Sequence, residues 1–416
     1  MKKNNAIRRG TAAVVKRKFC SVALALCIAS LACAMTPPPS YRVDLPGPPF
    51  GVITTADQQW VFVSLMAKRN GVPMGIAVLK ANQSKVDLVR TVPLPSPATE
   101  MVLTHDGKVL IAAAGDTVIL ADVDRLTQGT GDPVLRVFSD GAGAGSIFVN
   151  VTADDRTLFV SEERAATITV INLEQVRIKG FDASTVIGKI PVGNAPIALT
   201  FSPDERWLYT TSEIARDDWG WPKVLKREGR SASGLVAEGA VLVVDVAKAK
   251  TDPTHSVIAK APAGGSPVRL ALSASGERIF VTARNSNAVL VFDTTRLRTD
   301  PEHARVAMIP VGSAPVPLAL VDGGRKLVVG NSDRFAANAD SASTLTVIDV
   351  TRVAEGAKAV LGNIPCGGFP RELRLSPDSR TLYLTNFQSR NLQVIRVEGD
   401  LAATTTNGAA ATTTKR

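Results

Sequence analysis

Cysteine and histidine are scarce in this sequence of 416 residues. Three of its four cysteines lie within the first 33 residues, so Cys366 stands alone in the rest of the chain. A single thiol excludes an internal disulfide framework and a thiolate cluster. The three histidines, His105, His255 and His303, are far apart in the sequence, and nothing in their spacing indicates a zinc site. We therefore expect neither a bound metal ion nor a cofactor.

Long apolar runs are also rare. One begins at Ser21, after a basic segment without Asp or Glu, and ends at Ala32-Cys33-Ala34, which fits the small-x-small cleavage rule. The run is short for a membrane span, so it predicts a secretory signal peptide over residues 1–34, followed by a Pro-rich linker over 35–40. An uncleaved membrane anchor is the alternative, and lipidation of the exported chain at Cys33 stays open. We expect an exported protein, periplasmic or extracellular, without a transmembrane span after signal cleavage.

Positive charge is concentrated at the N-terminus. The net charge is +10, but seven of the basic residues lie within residues 1–34, which leaves about +3 for the remainder. A nearly neutral surface offers little attraction to phosphates, so nucleic acid is an unlikely partner. The low-complexity segment 401–416 is expected to be disordered.

A short turn recurs seven times along the chain after residue 40. Its copies contain Asp, Ser, Pro or Gly, the residues that a tight hairpin needs, and they lie 48 to 55 residues apart except for one interval of 71 residues. They are centred on Asp57, Asp106, Asp154, Asp204, Ser275, Gly323 and Asp378. Short runs rich in Val, Ile, Leu and Thr precede and follow each turn, which is typical of β-strands.

Four short antiparallel strands per repeat predict the blade of a β-propeller, with an open all-β solenoid as the alternative. The seventh repeat has no fourth strand, whereas the segment 41–45 is a spare strand near the start of the chain. Pairing the two would close the ring and remove both exposed sheet edges. The sequence therefore predicts an all-β, seven-bladed propeller over residues 41–400, closed by its N-terminal strand.

The repeats resemble the YVTN-repeat propeller family over about residues 41–398. The resemblance rests on the pattern Val-Gly-x-x-Pro, Ser-Pro-Asp and the strand Leu382-Tyr383-Leu384-Thr385-Asn386. It implies a fold found in bacterial cell-surface and periplasmic proteins and shared with lactonases, but it does not fix a function. The final Asn of the strand recurs only at Asn331. This position either tunes a ligand site or holds a structural asparagine.

The long interval carries about 22 extra residues between a second and a third strand, within residues 213–239. It contains Trp219 and Trp221, flanked by Arg216 and Lys223. Trp and Arg on a projecting loop are typical of binding hot spots, which favours a docking loop. The alternative is a loop that folds back and buries both indoles. A smaller expansion over 331–343, which contains Asp333, lies on the same predicted face.

We therefore expect a monomeric binding or scaffold module that holds an unknown protein or small-molecule ligand on its loop-rich face. The candidate binding residues are Trp219, Trp221, Arg216, Lys223, Arg284, Asn331, Asp333, Arg371 and Asn386. A lactonase-like hydrolase is the alternative. It requires Glu162, Glu213 and Arg284 to meet within about 5 Å at the axis, since propeller active sites draw one residue from each of several blades.

Overall fold

The computed structural model describes residues 38–66, 74–82, 85–139, 141–226, 234–334 and 343–397. These residues form seven antiparallel sheets, one per blade, each with four strands and one with an added fifth. The prediction of an all-β, seven-bladed propeller is thereby confirmed. The predicted signal peptide, half of the Pro-rich linker and the tail 401–416 lie outside the described residues.

Consecutive strands form each of the first six blades. Blade 1 contains Pro49–Thr54, Trp60–Leu65, Gly75–Ala81 and Val86–Pro93. Blade 2 contains Met101–Leu103, Val109–Ala114, Thr117–Asp122 and Val134–Phe138. Blade 3 contains Ser146–Val151, Thr157–Glu162, Thr167–Asn172 and Val186–Pro191. Blade 4 contains Asn194–Phe201, Trp207–Ile214, Leu235–Asp245 and Val257–Gly265. Blade 5 contains Pro267–Leu272, Arg278–Ala283, Ala288–Asp293 and Arg305–Pro310. Blade 6 contains Pro315–Val321, Lys326–Asn331, Thr344–Asp349 and Val360–Pro365.

Blade 7 is assembled from both ends of the described chain. It contains Pro370–Leu375, Thr381–Asn386 and Asn391–Arg396, and its fourth strand is Ser40–Asp44. The two termini pair in antiparallel register, with Tyr41 opposite Val394 and Val43 opposite Leu392. The N-terminal strand thus closes the ring, as the sequence predicted.

A Ser/Thr–Asp contact builds the turn between the first and second strands of most blades. In blade 4 the Ser202 hydroxyl donates to Asp204 at 2.5 Å and accepts from the Trp207 N–H at 3.0 Å, while Glu205 takes a left-handed φ of 52°. The Asp carboxylate thereby satisfies polar groups that no strand pairs, which explains the recurring Ser-Pro-Asp signature.

Short helices connect the third and fourth strands of blades 2 to 5. They are Val123–Gln128, Leu173–Lys179, Val246–Ala249 and Thr294–Thr299. Each is capped by the Asp or Asn that ends the third strand; the Asp293 carboxylate, for example, accepts from the Arg296 N–H at 2.9 Å. The 3₁₀ segments are Ala183–Thr185, Asp217–Trp219, Pro253–His255, Arg284–Ser286, Pro301–His303, Asp322–Gly324 and Val350–Ala359.

Apolar packing lies chiefly between blades. Seven buried clusters each join two successive blades, and the cluster that joins blade 7 to blade 1 includes Val61, Leu79 and Val394. The turns between first and second strands and the short helices lie on one face, called the turn face. The connections between second and third strands and between blades lie on the other, called the loop face.

Candidate functional site

A ring of apolar side chains fills the propeller axis. Five first strands contribute one buried residue each to a single cluster at the axis, namely Phe50, Ile147, Ile197, Val268 and Val316. Val268 and Val316 directly follow the prolines that begin their strands, and blade 7 places Arg371 at the matching position after Pro370. Arg371 therefore introduces a charge into an otherwise apolar ring.

An ion cluster lies on the turn-face side of this ring and joins three blades across the axis. The Arg269 Nη2 atom lies 3.0 Å from Glu100 Oε2 and 3.2 Å from Glu372 Oε2. Glu100 is fully buried, and burial followed by repulsion from Glu372 raises its pKa to about 7. The guanidinium of Arg269 also stacks over the Phe148 ring at 4.8 Å.

The ring and the ion cluster separate two axial cavities. The loop-face cavity has a volume of about 450 Å³ and is lined by ring residues such as Ile197. The turn-face cavity, of about 380 Å³, is lined by Arg269 and Glu372. The loop-face cavity combines charged and aromatic walls, which is the composition typical of ligand sites. Its charged residues are Glu163, Glu213, Arg284, Arg334 and Arg371, and its aromatic residues are Phe50, Phe369 and Phe387.

Glu213 and Arg284 form an ion pair in the wall of this cavity. Glu213 lies near the end of Trp207–Ile214 in blade 4, and Arg284 directly follows Arg278–Ala283 in blade 5. The Arg284 Nη2 atom donates to Glu213 Oε2 at 2.6 Å, and both side chains are largely buried. Burial raises the pKa of Glu213, and the positive charge of Arg284 opposes that shift.

Arg371 lies against aromatic rings. Its guanidinium carbon is 4.1 Å from the centroid of Phe50 and 5.6 Å from that of Phe369. Burial lowers the pKa of Arg371 to about 9, and repulsion from Arg269, Arg334 and Arg284 adds to the shift. Arg334 contacts the same Phe369 ring at 5.7 Å. The two arginines therefore share one aromatic wall.

Glu162 does not join Glu213 and Arg284, so the trio required by the hydrolase hypothesis does not form. It is buried inside blade 3, where its carboxylate accepts from Thr167 Oγ1 at 2.8 Å and lies 3.3 Å from Lys189 Nζ. The next residue, Glu163, lines the cavity instead. Glu162 ends the second strand and Glu163 begins the turn that follows it, so a shift of one residue decides which carboxylate reaches the cavity.

Asn331 and Asn386 are also buried inside their blades and do not line the cavity. The Asn331 amide donates to Thr344 and Thr346 at 3.0 and 2.9 Å, and the Asn386 amide donates to Asn391 at 2.9 Å. Both tie the end of a second strand to the third strand. These contacts match the structural asparagine rather than a residue that tunes a ligand site.

The inserted segment of blade 4 folds back on the propeller. Trp219 and Trp221 pack against the cluster between blades 3 and 4, with their ring centroids 5.9 Å apart. Beyond them, Val224–Lys226 pairs with the start of Leu235–Asp245 as an added strand. The partial burial of both indoles agrees with the alternative in which the loop folds back.

The remaining candidate residues lie outside the cavity. Arg216 is exposed and makes two hydrogen bonds to Asp218, at 3.0 and 2.8 Å. Lys223 is exposed, and its backbone N–H donates to Glu238 at 3.2 Å. Asp333 has a left-handed φ of 46°. Of the nine predicted binding residues, only Arg284 and Arg371 line the cavity.

Sequence reasoning missed the aromatic wall and Arg334. Phe50 follows the proline that begins the first strand of blade 1, and Phe369 precedes the equivalent proline of blade 7. Alignment of the seven blade junctions would therefore have placed both residues at the axis. Arg334 directly follows Asp333 in the second expanded connection. No local pattern marks Arg334, which meets the aromatic wall only when the ring closes.

Membrane and metal signals are absent from the described part of the chain. No described helix is both long and apolar enough to cross a membrane. Nor, within the same residues, do three His, Cys, Asp or Glu side chains group as metal ligands would.

Comparison with known proteins identifies the fold and no family. No protein-family model matches the chain, and no curated protein does. Among solved structures, the chain is similar to Kuenenia stuttgartiensis hydrazine synthase at 18% identity and a TM-score of 0.62, covering 86% of this chain and 98% of that chain. A chain of the mitotic checkpoint complex matches at 14% identity and a TM-score of 0.62, covering 93% and 99%. Such likenesses show the propeller fold alone.

Proposed function

We propose that this protein is an exported binding module whose ligand occupies the loop-face cavity. The observation that carries the proposal is the closed axis, because the buried ring gives this cavity a floor. The second expanded connection contributes Arg334 to its walls, and Glu213 lies near the end of the strand that leads into the first. Long connections on one face of a rigid scaffold are where propellers and other folds place binding residues.

Export is the part of the proposal that rests on the N-terminal sequence pattern. We expect cell fractionation to recover the protein outside the cytoplasm, shortened by about the 34 residues that the cleavage rule predicts. An uncleaved chain in the cytoplasmic fraction would contradict export and leave the cavity proposal intact.

A cavity-filling variant tests the site. Ile197 lines the loop-face cavity and Thr200 lines the turn-face cavity, and both belong to Asn194–Phe201. The chain from residue 35 would be incubated with a small-molecule extract and analysed by native mass spectrometry. We expect wild type and Thr200→Phe to retain a ligand that Ile197→Phe loses, because the added ring fills only the loop-face cavity.

Thermal unfolding of both variants provides the control, since overpacking lowers stability by about 1–3 kcal/mol at most buried positions. Retention of the ligand by Ile197→Phe would contradict the proposed site. Loss in Thr200→Phe alone would move the site to the turn face.

A lactonase-like hydrolase is the second candidate, and the raised pKa of Glu213 is the observation that favours it. A carboxyl group with a raised pKa serves as a general acid or base more readily than an ordinary one. Turnover of a lactone panel that is lost in Glu213→Gln and kept in Glu163→Gln would support this function. Binding of a lactone without turnover would contradict it.

A further inference from the structure

Arg371 occupies a position at which five of the other six blades place an apolar side chain. The matching residues Val268 and Val316 belong to the buried axial cluster, and each follows a proline as Arg371 follows Pro370. Its guanidinium lies at the cavity wall, where a ligand would meet it.

Arg371 has no carboxylate partner among the described residues. It forms no ion pair with them, and its buried Nε atom has no hydrogen-bond partner. Its contacts are the faces of Phe50 and Phe369. A guanidinium held in this way keeps the planar donor edge that pairs bidentately with a carboxylate or phosphate.

The cavity as a whole carries excess positive charge. Three arginines face two glutamates, and Glu213 is held by Arg284 at 2.6 Å. Glu163, the other carboxylate, is exposed. Arg371 therefore places a positive charge that no described carboxylate pairs on the side of the cavity that blade 7 forms.

Aromatic rings border the same side. The Phe369 and Phe387 centroids lie 5.4 Å apart with their planes inclined by 57°. Met66 and Phe50 extend this apolar surface within the cavity. A bare inorganic anion would leave these side chains without contact, whereas a ligand with a flat apolar body would cover them.

We propose that the loop-face cavity binds a small organic anion, with its carboxylate or phosphate on Arg371 and its flat apolar body against Phe50, Phe369 and Phe387. The proposal rests on the binding function proposed for the same cavity. The volume of about 450 Å³ suits a ligand of one or two rings. Arg334 lies on the same aromatic wall and adds positive charge beside the anion.

Three single-ring probes of similar size separate charge from size. Isothermal titration calorimetry would compare benzoate, its neutral analogue benzamide and the cation benzylammonium on the folded chain from residue 35, with inorganic phosphate as a fourth probe. We expect benzoate to bind at least about tenfold more tightly than benzamide, because a charge-assisted hydrogen bond contributes that much. Phosphate and benzylammonium should bind more weakly than benzoate.

Arginine variants locate the anion. Arg371→Gln should weaken benzoate binding at least about tenfold and leave benzamide binding nearly unchanged. Arg334→Gln, at a more exposed position, should weaken benzoate by a smaller factor and serves if Arg371→Gln fails to fold. Arg164→Gln is the matched control, since Arg164 lies on the loop face outside the cavity and pairs with Asp116. It should change neither affinity.

The outcomes distinguish this inference from the binding function on which it rests. Equal binding of benzoate and benzamide, with both lost in Ile197→Phe, would overturn the anion and keep the cavity as the ligand site. The same conclusion would follow if the ligands from the extract that Ile197→Phe loses are neutral or cationic. Phosphate binding as tightly as benzoate would overturn the apolar contact. No benzoate binding to folded wild type would overturn the inference outright.

Discussion

The final Asn of the YVTN-like strand is explained by close approach to a glycine. A Cβ atom on Gly367 would lie 2.6 Å from Asn386 Cγ, and one on Gly312 would lie 2.5 Å from Asn331 Cγ. The glycine of the Val-Gly-x-x-Pro junction and the asparagine of the second strand are therefore one packing unit. The motif that suggested the family describes how a blade is built, and it carries no information about the ligand.

Gly367→Ala is expected to destabilise the protein by about 1–3 kcal/mol, because the new methyl group clashes with the Asn386 side chain. Chemical denaturation would measure the change in the free energy of unfolding. Gly368→Ala is the control, since its Cβ would meet its nearest neighbours at 3.4 Å, an ordinary contact.

The double variant Gly367→Ala/Asn386→Ala separates the clash from other effects. Removal of the amide should make the double variant more stable than the sum of the two single changes predicts. Strict additivity of the three measurements would show that the close approach has no energetic consequence.

At the scale of elements, the sequence pattern predicted the strands, whereas it left the conformation of the inserted loop open between two alternatives. Period-two apolar runs and Asp-rich turns fixed the strand order, and the missing fourth strand of the last repeat indicated how the ring closes. The inserted segment carried Trp and Arg, a pattern that suits docking and packing equally. Only its contact with the cluster between blades 3 and 4 places the indoles against the propeller.

A chain that starts at residue 46 should lose stability relative to one that starts at residue 38. The deletion removes Ser40–Asp44, exposes the edge of Asn391–Arg396 and uncovers the apolar surface beneath Tyr41, Val43 and Leu45. Loss of this burial should cost roughly 3 kcal/mol or more. Thermal unfolding would measure the effect.

The exposed edge of blade 7 should also promote association through strand pairing, which size-exclusion chromatography would detect. The chain from residue 38 controls for removal of the N-terminus as such. If both chains unfold at the same temperature and elute as the same species, the closing strand contributes nothing to stability.

At the scale of the whole molecule, the ion cluster of Arg269, Glu100 and Glu372 links blades 5, 2 and 7 across the axis. Arg374 adds a further positive charge 3.8 Å from Glu100. These residues are far apart in the sequence, and each occupies an inward position on a first strand or just before one. The cluster blocks the axis and so divides it into two cavities.

Glu100→Gln should become more stable relative to wild type as the pH rises from 5 to 8. The pKa of Glu100 in the folded protein is raised to about 7. Between the ordinary pKa of a glutamate and pH 7, the folded protein therefore binds a proton that the unfolded chain releases. Wild-type stability contributed by protonated Glu100 is present below that window and is lost as the pH rises through it. The variant keeps a neutral side chain at every pH.

The expected change in the stability difference between pH 5 and pH 8 is of the order of 1–3 kcal/mol. Urea denaturation at each pH would measure it. Glu174→Gln is the control, because Glu174 lies in an exposed pair with Arg156 at 3.5 Å. A pH-independent difference for Glu100→Gln would show that Glu100 is ionised throughout the range.

The sequence by itself determined the blade, the number of blades and the closure of the ring, because hydrogen-bonded strands and tight turns are local and repeat with a fixed period. It also pointed to the loop-rich face and to Arg284, Glu213 and Arg371. The tertiary structure alone decided that Glu163 rather than Glu162 lines the cavity and that Arg269 bridges two glutamates across the axis. It also brought Arg371 against Phe50 and Phe369. These contacts join different blades, and their distances are set by ring closure, which no local pattern encodes.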